Sequence, residues 1–131
     1  MTPLSLTKLA TCDKRIQQII IEANKIMPLQ VLCGHRTLAE QTVAYQTGHS
    51  KTMHSKHLAE PSLAVDVAPL DKNNQINWKD LRPFLKLKDV IFAVALRLGY
   101  LDLIRWGGDW DRDGITERGE DDYGHYELVL P

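Results

Sequence analysis

The sequence has little of several features that mark specialised classes of protein. It contains two cysteines in 131 residues, Cys12 and Cys33, which are too few for a disulfide framework and are not spaced as in a zinc ribbon. Its formal net charge is −1, so no basic surface predicts nucleic-acid binding. No apolar run approaches the length that spans a bilayer. These absences indicate a globular domain with no stable membrane insertion.

The overall amino-acid composition is that of an ordinary globular protein. Hydrophobic residues make up 44% and charged residues 25% of the chain. Its length suits a single hydrophobic core, so we expect residues 1–131 to form one domain. The N-terminus lacks a basic stretch followed by a long apolar run, so we expect no secretory signal and synthesis in a cytoplasm.

Hydrophobic periodicity predicts three helices. Isoleucines at helical spacing predict the first over residues 12–26. Thr37 and Glu40 match a capping box that begins the second, and Gly48 ends it. The third is expected to be capped at Asn77 and to continue, mostly buried, through "PFLKLKDVIFAVALRLGY".

Four short segments read as strands: "LQVLCG", "LAVDVAPL", "LDLIRW" and "HYELVL". Because the strands are few and two of them end the chain, the order favours an α+β fold over a doubly wound sheet. We therefore predict a single compact domain, in which a small, mainly antiparallel sheet packs with about three helices.

Two residues inside apolar segments raise the question of a metal site. The chain has five histidines but no HExxH pair, so ligands would have to come from separated elements. Asp66 lies within "LAVDVAPL", where an ionised carboxylate is costly unless it is paired, hydrogen-bonded or bound to a cation. His125 begins the apolar strand "HYELVL". Simple buried hydrogen bonds would also explain both, so the two alternatives stay open.

The segment "DDYGHYE" places Asp122 three residues before His125. In an extended strand, side chains at this spacing point to opposite faces and lie about 10 Å apart. A turn at Gly124 would bring both to one centre, where Asp122 suits a general base that accepts a proton from water activated by a metal. The alternative is a solvated acidic turn.

Three further residues have both a functional and a structural interpretation. Arg36 follows a predicted strand, and its guanidinium suits a carboxylate or an oxyanion, although it is also placed like a surface arginine near a helix N-terminus. Glu127 should share a strand face with His125 and is either a hydrogen-bond partner of a ligand histidine or a plain strand carboxylate. Cys33 is interpreted as a buried small hydrophobe rather than a nucleophile.

A second ion site is indicated at residues 109–120. "DWDRDGITERGE" fits the D-x-[DN]-x-[DN]-G-x5-E pattern of EF-hand calcium loops, with Gly114 at the sharp bend. No flanking helices are evident, so a solvated acidic loop is the alternative. The expected calcium ligands are Asp109, Asp111, Asp113, Ile115 through its carbonyl, Glu117 and Glu120.

Several of these motifs together resemble a known family. "SKH", the "AVD" of "SLAVDV" and "DYGHYE" resemble, in order, the Ser-x-His…Asp and acidic-x-x-His elements of phage L-alanyl-D-glutamate peptidase endolysins, which are related to VanY-type D-alanyl-D-alanine carboxypeptidases. "VLCGHRT" resembles the family's Gly-x-Arg-[Ser/Thr] element, so the resemblance covers about residues 29–130. The common family pattern, Ser-x-His-x-x-Gly-x-Ala-x-Asp, is shorter and contains a glycine that this chain lacks.

The resemblance implies a DD-peptidase or hedgehog-like fold and a set of residue roles. Zinc would be held by His57, Asp66 and His125, with Asp122 as the general base. Arg36 would contact substrate or the developing oxyanion. Ser55 would line the site and contact substrate.

The resemblance also implies a biological role. The protein would be a zinc endopeptidase that hydrolyses the L-alanyl-D-glutamate bond of the peptidoglycan stem and lyses the host. It would be made in the host cytoplasm and reach the wall once the membrane is permeabilised, as a monomer without a separate wall-binding domain. The alternatives are a D-alanyl-D-alanine carboxypeptidase or dipeptidase on the same scaffold, and a non-catalytic metal-binding module that interacts with the wall.

Overall fold

A four-stranded antiparallel sheet forms the centre of the computed structural model, which describes residues 1–50, 52–117 and 119–130. The strand order is β1-β2-β4-β3. Helix α1 packs on β1, α2 packs against α4, and α4 lies on the remaining strands. The α-helices are α1 (Pro3–Leu9), α2 (Lys14–Ile26), α3 (Leu38–Gln46) and α4 (Arg82–Leu98), and the strands are β1 (Leu29–Cys33), β2 (Ala64–Pro69), β3 (Ile104–Gly107) and β4 (Asp122–Leu128).

The predicted α+β architecture is confirmed, and α1 adds a helix to the three expected. The Thr2 hydroxyl accepts a hydrogen bond from Ser5 N at 3.1 Å, and Pro3 occupies the first turn, as suits a helix start. Helix α2 begins after its Asp13 cap, two residues later than predicted. The capping box of α3 is present as predicted, with Thr37 and Glu40 each bonding the other's backbone.

The predicted start of the third helix at Asn77 is wrong. The Asn77 side chain accepts a hydrogen bond from Lys79 N at 3.1 Å within a turn, and α4 begins only at Arg82. Helix α4 buries one face and leaves Leu85 and Leu96 exposed, so it is amphipathic rather than mostly buried.

Two predicted strand boundaries also change. Residues 101–103 of "LDLIRW" form a 3-10 helix, so β3 begins at Ile104. Strand β4 begins at Asp122, earlier than the "HYELVL" segment predicted.

The two faces of the sheet have different surroundings: one packs into the hydrophobic core and the other is polar. Side chains alternate along a strand, so Val65 and Val67 of β2 enter the core together with Tyr126 of β4. The residues between them point away from the helices. Asp66 and His125 are direct cross-strand partners on that second face. The sheet therefore separates the hydrophobic core from a polar surface that carries the candidate site.

Strand β4 contains a bulge rather than the predicted turn at Gly124. Its pairing with β3 passes from Trp106↔Tyr126 to Gly107↔Asp122, which leaves residues 123–125 without β3 partners. Gly124 is required by close approach, because a Cβ there would lie 2.5 Å from the Val67 carbonyl oxygen. The bulge reorients the start of β4 without ending the strand.

The long connection between His57 and Asp66 is held to the rest of the fold. Ser62 N donates to Thr11 O at 2.9 Å, and Ser62 O accepts from Asp13 N at 2.8 Å. Ser62 is fully buried. The connection, which is longer than the common family pattern, is thus held by ordered contacts with the segment that precedes α2.

Among the described residues, no helix is long and apolar enough to cross a membrane.

Candidate active site and metal centre

Three predicted ligands meet on the polar face of the sheet. Asp66 Oδ1 lies 2.9 Å from His125 Nδ1, and Asp66 Oδ2 lies 3.3 Å from His57 Nε2. His57 comes from a 3-10 helix, Lys56–Leu58, whose first turn is capped by the Ser55 hydroxyl, which accepts from His57 N at 3.2 Å. Residues separated by as much as 68 positions therefore share one carboxylate.

The orientation of His57 leaves one ring nitrogen for a further partner. Its Nδ1 donates to the Gly34 carbonyl at 2.7 Å, because a carbonyl can only accept. The opposite nitrogen, Nε2, is buried and has no hydrogen-bond partner, although it faces the Asp66 carboxylate. A buried nitrogen lone pair beside a carboxylate is the arrangement that a divalent cation can occupy.

His125 is oriented in the same way by a second carboxylate. Its Nε2 donates to Glu127 Oε1 at 2.8 Å, which leaves Nδ1 toward Asp66. Glu127 is buried and is held in turn by Arg105 at 2.8 Å and by Lys56 at 3.7 Å. The interpretation of Glu127 as a partner of His125 is therefore the one that the geometry supports, and such partners fix the orientation of ligand histidines.

The electrostatics of the site favour positive charge at His57 and His125, beside the Asp66 carboxylate. Burial lowers the pKa of His57 and His125, but their attraction to the Asp66 carboxylate outweighs it and raises these pKa values to about 10 and about 9. Burial alone would raise the pKa of Asp66, yet the two histidines hold that pKa well below its ordinary value. A divalent cation can supply the same positive charge, since metal binding displaces protons from its ligands. Two imidazoles and one carboxylate form a donor set that fits zinc.

Cys33 lies closer to this centre than the sequence indicated. It is opposite Asp66 across β1 and β2, and its Sγ is 3.7 Å from His57 Nδ1. Cys33, His57 and Asp66 together form a group of potential metal donors. The thiol, however, faces the nitrogen of His57 that bonds Gly34, and not the unpartnered Nε2.

Arg36 is held beside the ligands by a buried glutamine that the sequence analysis missed. Gln41 Oε1 accepts from Arg36 Nη1 at 2.7 Å, and Arg36 Nη2 lies 3.8 Å from Asp66 Oδ2. The Gln41 amide nitrogen donates to Ser50 and Thr52 on the neighbouring loop. A polar residue among the mostly exposed positions of α3 gives no sequence signal for this contact.

Asp122 and Ser55 line the same cleft as the three ligands. The cleft has a volume of about 490 Å³. The cleft walls partly desolvate the Asp122 carboxyl and so raise its pKa above the ordinary value, although the residue is solvent-exposed; the Asp66 charge adds to this rise, while His125 opposes it. The cleft walls also include Arg36, Lys56, Arg105, Trp110, Asp121 and Glu127.

The acidic loop brings four of its six predicted calcium ligands together, and calcium binding there stays a prediction. Carboxylate oxygens of Asp109, Asp111, Asp113 and Glu120 all lie within 4.8 Å of one another. Asp109 Oδ2 accepts from Gly114 N at 2.9 Å, and Gly114 has the positive φ of 83° that such a bend requires.

Glu120 closes the loop from its far end. It is buried, and its carboxylate accepts from Glu117 N at 2.8 Å and from Asp111 N at 3.3 Å. Hydrogen bonding and charge from Asp113 raise the pKa of Glu117 to about 7. The carboxylates of the loop therefore repel one another, and a bound cation would reduce that repulsion.

Comparisons with known proteins agree on family and fold. The family model described as phage L-alanyl-D-glutamate peptidase matches residues 1–129. The crystal structure of Serratia marcescens L-Ala D-Glu endopeptidase ChiX is similar, with a TM-score of 0.76 and 23% identity over 98% of this chain and 89% of that one. No curated protein matches the chain. The family model covers nearly every residue, including all the predicted ligands, and the chain therefore belongs to the phage L-alanyl-D-glutamate peptidases, hydrolytic enzymes that act on peptidoglycan.

Proposed function

We propose that this chain is a zinc-dependent endolysin in which residues 1–131 form one catalytic domain. His57, Asp66 and His125 hold the metal. The observation that carries this proposal is the buried His57 Nε2, which has no hydrogen-bond partner and faces a carboxylate shared with His125. When bound, zinc supplies a Lewis acid that activates water and polarises the scissile carbonyl.

The chain's own residues carry the rest of the reaction. Asp122 accepts the proton of the attacking water and passes it to the leaving amine, a task for which a raised pKa is favourable. The Arg36 guanidinium, fixed by Gln41, donates to the oxygen that becomes negative in the transition state. Ser55 caps the turn of His57 and contacts substrate at the cleft wall.

The proposal extends to where the enzyme acts. It acts as a monomer, is made in the host cytoplasm and reaches the wall when the membrane is permeabilised. The family assignment supports cleavage between L-alanine and D-glutamate over removal of a terminal D-alanine. It equally favours an enzyme over a non-catalytic wall-binding module.

Asp122→Asn tests the mechanism, with Asp121→Asn as the matched control. Both carboxylates line the cleft, but only Asp122 has the family's spacing to His125. Loss of the base should lower kcat about 10²- to 10⁴-fold, while zinc content and melting temperature stay those of the parent. The control should retain most activity.

Mass spectrometry of digested muropeptides, with zinc measured on the same sample, provides the readout. New termini at alanine and glutamate are expected. Loss of a terminal D-alanine alone would exclude the bond assignment. Full activity of Asp122→Asn, or of protein freed of metal, would exclude the mechanism.

We also propose that calcium regulates the enzyme through the acidic loop. The ligands are Asp109, Asp111, Asp113, the Ile115 carbonyl, Glu117 and Glu120. Glu120 lies two residues before Asp122, so a cation that draws the loop carboxylates together also fixes the start of β4. Calcium would thereby set the position of the general base.

Asp113→Ala is expected to lower activity without lowering zinc content. The parent protein should be activated when calcium is added after dialysis, with zinc confirmed to remain bound. Equal activity with and without calcium would refute the regulation and leave the peptidase mechanism standing.

A further inference from the structure

A second cavity adjoins the catalytic cleft and has a different chemical character. It has a volume of about 420 Å³, and Asp66, Asp121 and Asp122 line both cavities. Its lining also includes four large apolar or aromatic side chains, Trp78, Leu81, Phe84 and Tyr123, which we call the apolar wing.

Within the apolar wing, Trp78 exposes aromatic surface that the core does not use, whereas Phe84 is buried and Tyr123 packs against the core. Trp78 is 65% exposed, and its only ring contact among the described residues is with Phe84, at a centroid distance of 5.9 Å. A turn held by the Asn77 side chain presents the indole. Exposed tryptophan beside a cavity is typical of a binding surface, because it supplies large contact area at low conformational cost.

The opposite end of the cleft is cationic. Among the described residues, Arg36, Lys56 and Arg105 line the catalytic cleft alone, with Glu127 as the one unshared carboxylate. Asp66, Asp121 and Asp122 line the boundary that the cleft shares with the second cavity, which Lys79 also lines. The substrate has a matching asymmetry. The glutamyl side of the scissile bond carries a free carboxylate, since only one of its two carboxyl groups continues the peptide, whereas the alanyl side is neutral.

Charge complementarity therefore orients the substrate. The glutamate carboxylate points to the cationic end, and the alanine lies toward the apolar wing. Beyond the alanine, the stem is attached through a lactyl group to an amino sugar of the glycan strand. A sugar ring presents an apolar C–H face, which packs on an aromatic ring as other apolar groups do.

We infer that the apolar wing is a subsite for the sugar-linked end of the stem, with Trp78 as its stacking platform. This inference rests on the proposed peptidase function and adds an orientation and a preference. The enzyme should prefer stems still attached to the glycan over stems released from it.

Trp78→Ala tests the subsite on two substrates: a disaccharide-linked stem peptide and the same peptide without the disaccharide. The variant should raise KM about five- to ten-fold for the linked substrate, the effect of losing one stacking contact, and leave kcat unchanged. KM for the free peptide should stay within about two-fold. Trp78→Phe should restore most of the affinity because it keeps an aromatic face.

Leu96→Ala is the matched control, since Leu96 is 63% exposed on α4 and lines neither cavity. It should leave both KM values unchanged, and melting temperatures should confirm that all variants are folded. An equal rise for both substrates, or no rise for either, would overturn the subsite alone. A parent protein that cuts neither substrate would overturn the peptidase function as well.

Discussion

Gly124→Ala is expected to push β2 and β4 apart beside the pair formed by Asp66 and His125. The new Cβ would lie 2.5 Å from the Val67 carbonyl oxygen, whereas real Cβ contacts essentially never fall under 3.0 Å. The strands would have to separate by about 0.5 Å. The Val67 carbonyl belongs to the backbone and the Cβ of alanine has no rotamer, so no change of rotamer relieves the contact.

The magnitude follows from these distances. Forcing an extra methyl group into a packed site costs about 1–3 kcal/mol. A domain of this size should lose about 4 °C of melting temperature for each kcal/mol. A metal site tolerates deviations of only about 0.2 Å in its ligand distances, so the zinc dissociation constant should rise at least about ten-fold.

Thermal unfolding and a zinc competition titration measure the two effects, with Gly99→Ala as the control. Gly99 has a φ of 84° and open space around its Cβ position, so alanine there strains only the backbone, at about 1–2 kcal/mol. It should lower stability without changing zinc affinity. Unchanged zinc affinity in Gly124→Ala, or equal losses in both variants, would refute the reasoning.

Three further changes probe the centre and the acidic loop. Glu127→Gln should raise the zinc dissociation constant about 10- to 100-fold, because neutral glutamine polarises His125 less; unchanged affinity in a zinc titration would contradict this. Arg36→Lys should lower kcat about 100-fold with KM nearly constant in steady-state assays, since one ammonium cannot reproduce the guanidinium fork. Calcium affinity should rise between pH 6 and pH 8 as Glu117 loses its proton near pH 7, and Glu117→Gln should remove that dependence in calorimetry.

Two features could be recognised from local sequence alone, and for one of them, the acidic loop, calcium binding stays a prediction. The capping box of α3 involves residues three apart, and the calcium pattern lies within twelve, so each can be recognised without the fold. The set of His57, Asp66 and His125 came from the order of motifs, and the structure brings these residues together.

The parts that were missed depend on contacts between distant segments. Cys33 faces Asp66 only because the register of β1 and β2 shifts between Val31 and Cys33. Helix α1 is seven residues long, too short to be stable alone, and is held by β1, where the Ser5 hydroxyl accepts from Val31 N at 3.0 Å. Neither contact follows from the spacing of residues along the chain.

Because Asp66 pairs with His125 across β2 and β4, activity at the proposed site requires the native register of these two strands. Moving β2 by one residue against β4 would set Val65 or Val67 opposite His125 and send the carboxylate into the core. Such a protein would lack the proposed metal site. Libraries of core variants screened for clearing of bacterial cell walls would therefore retain only chains whose β2 and β4 pair in the native register, whatever happens to their overall stability.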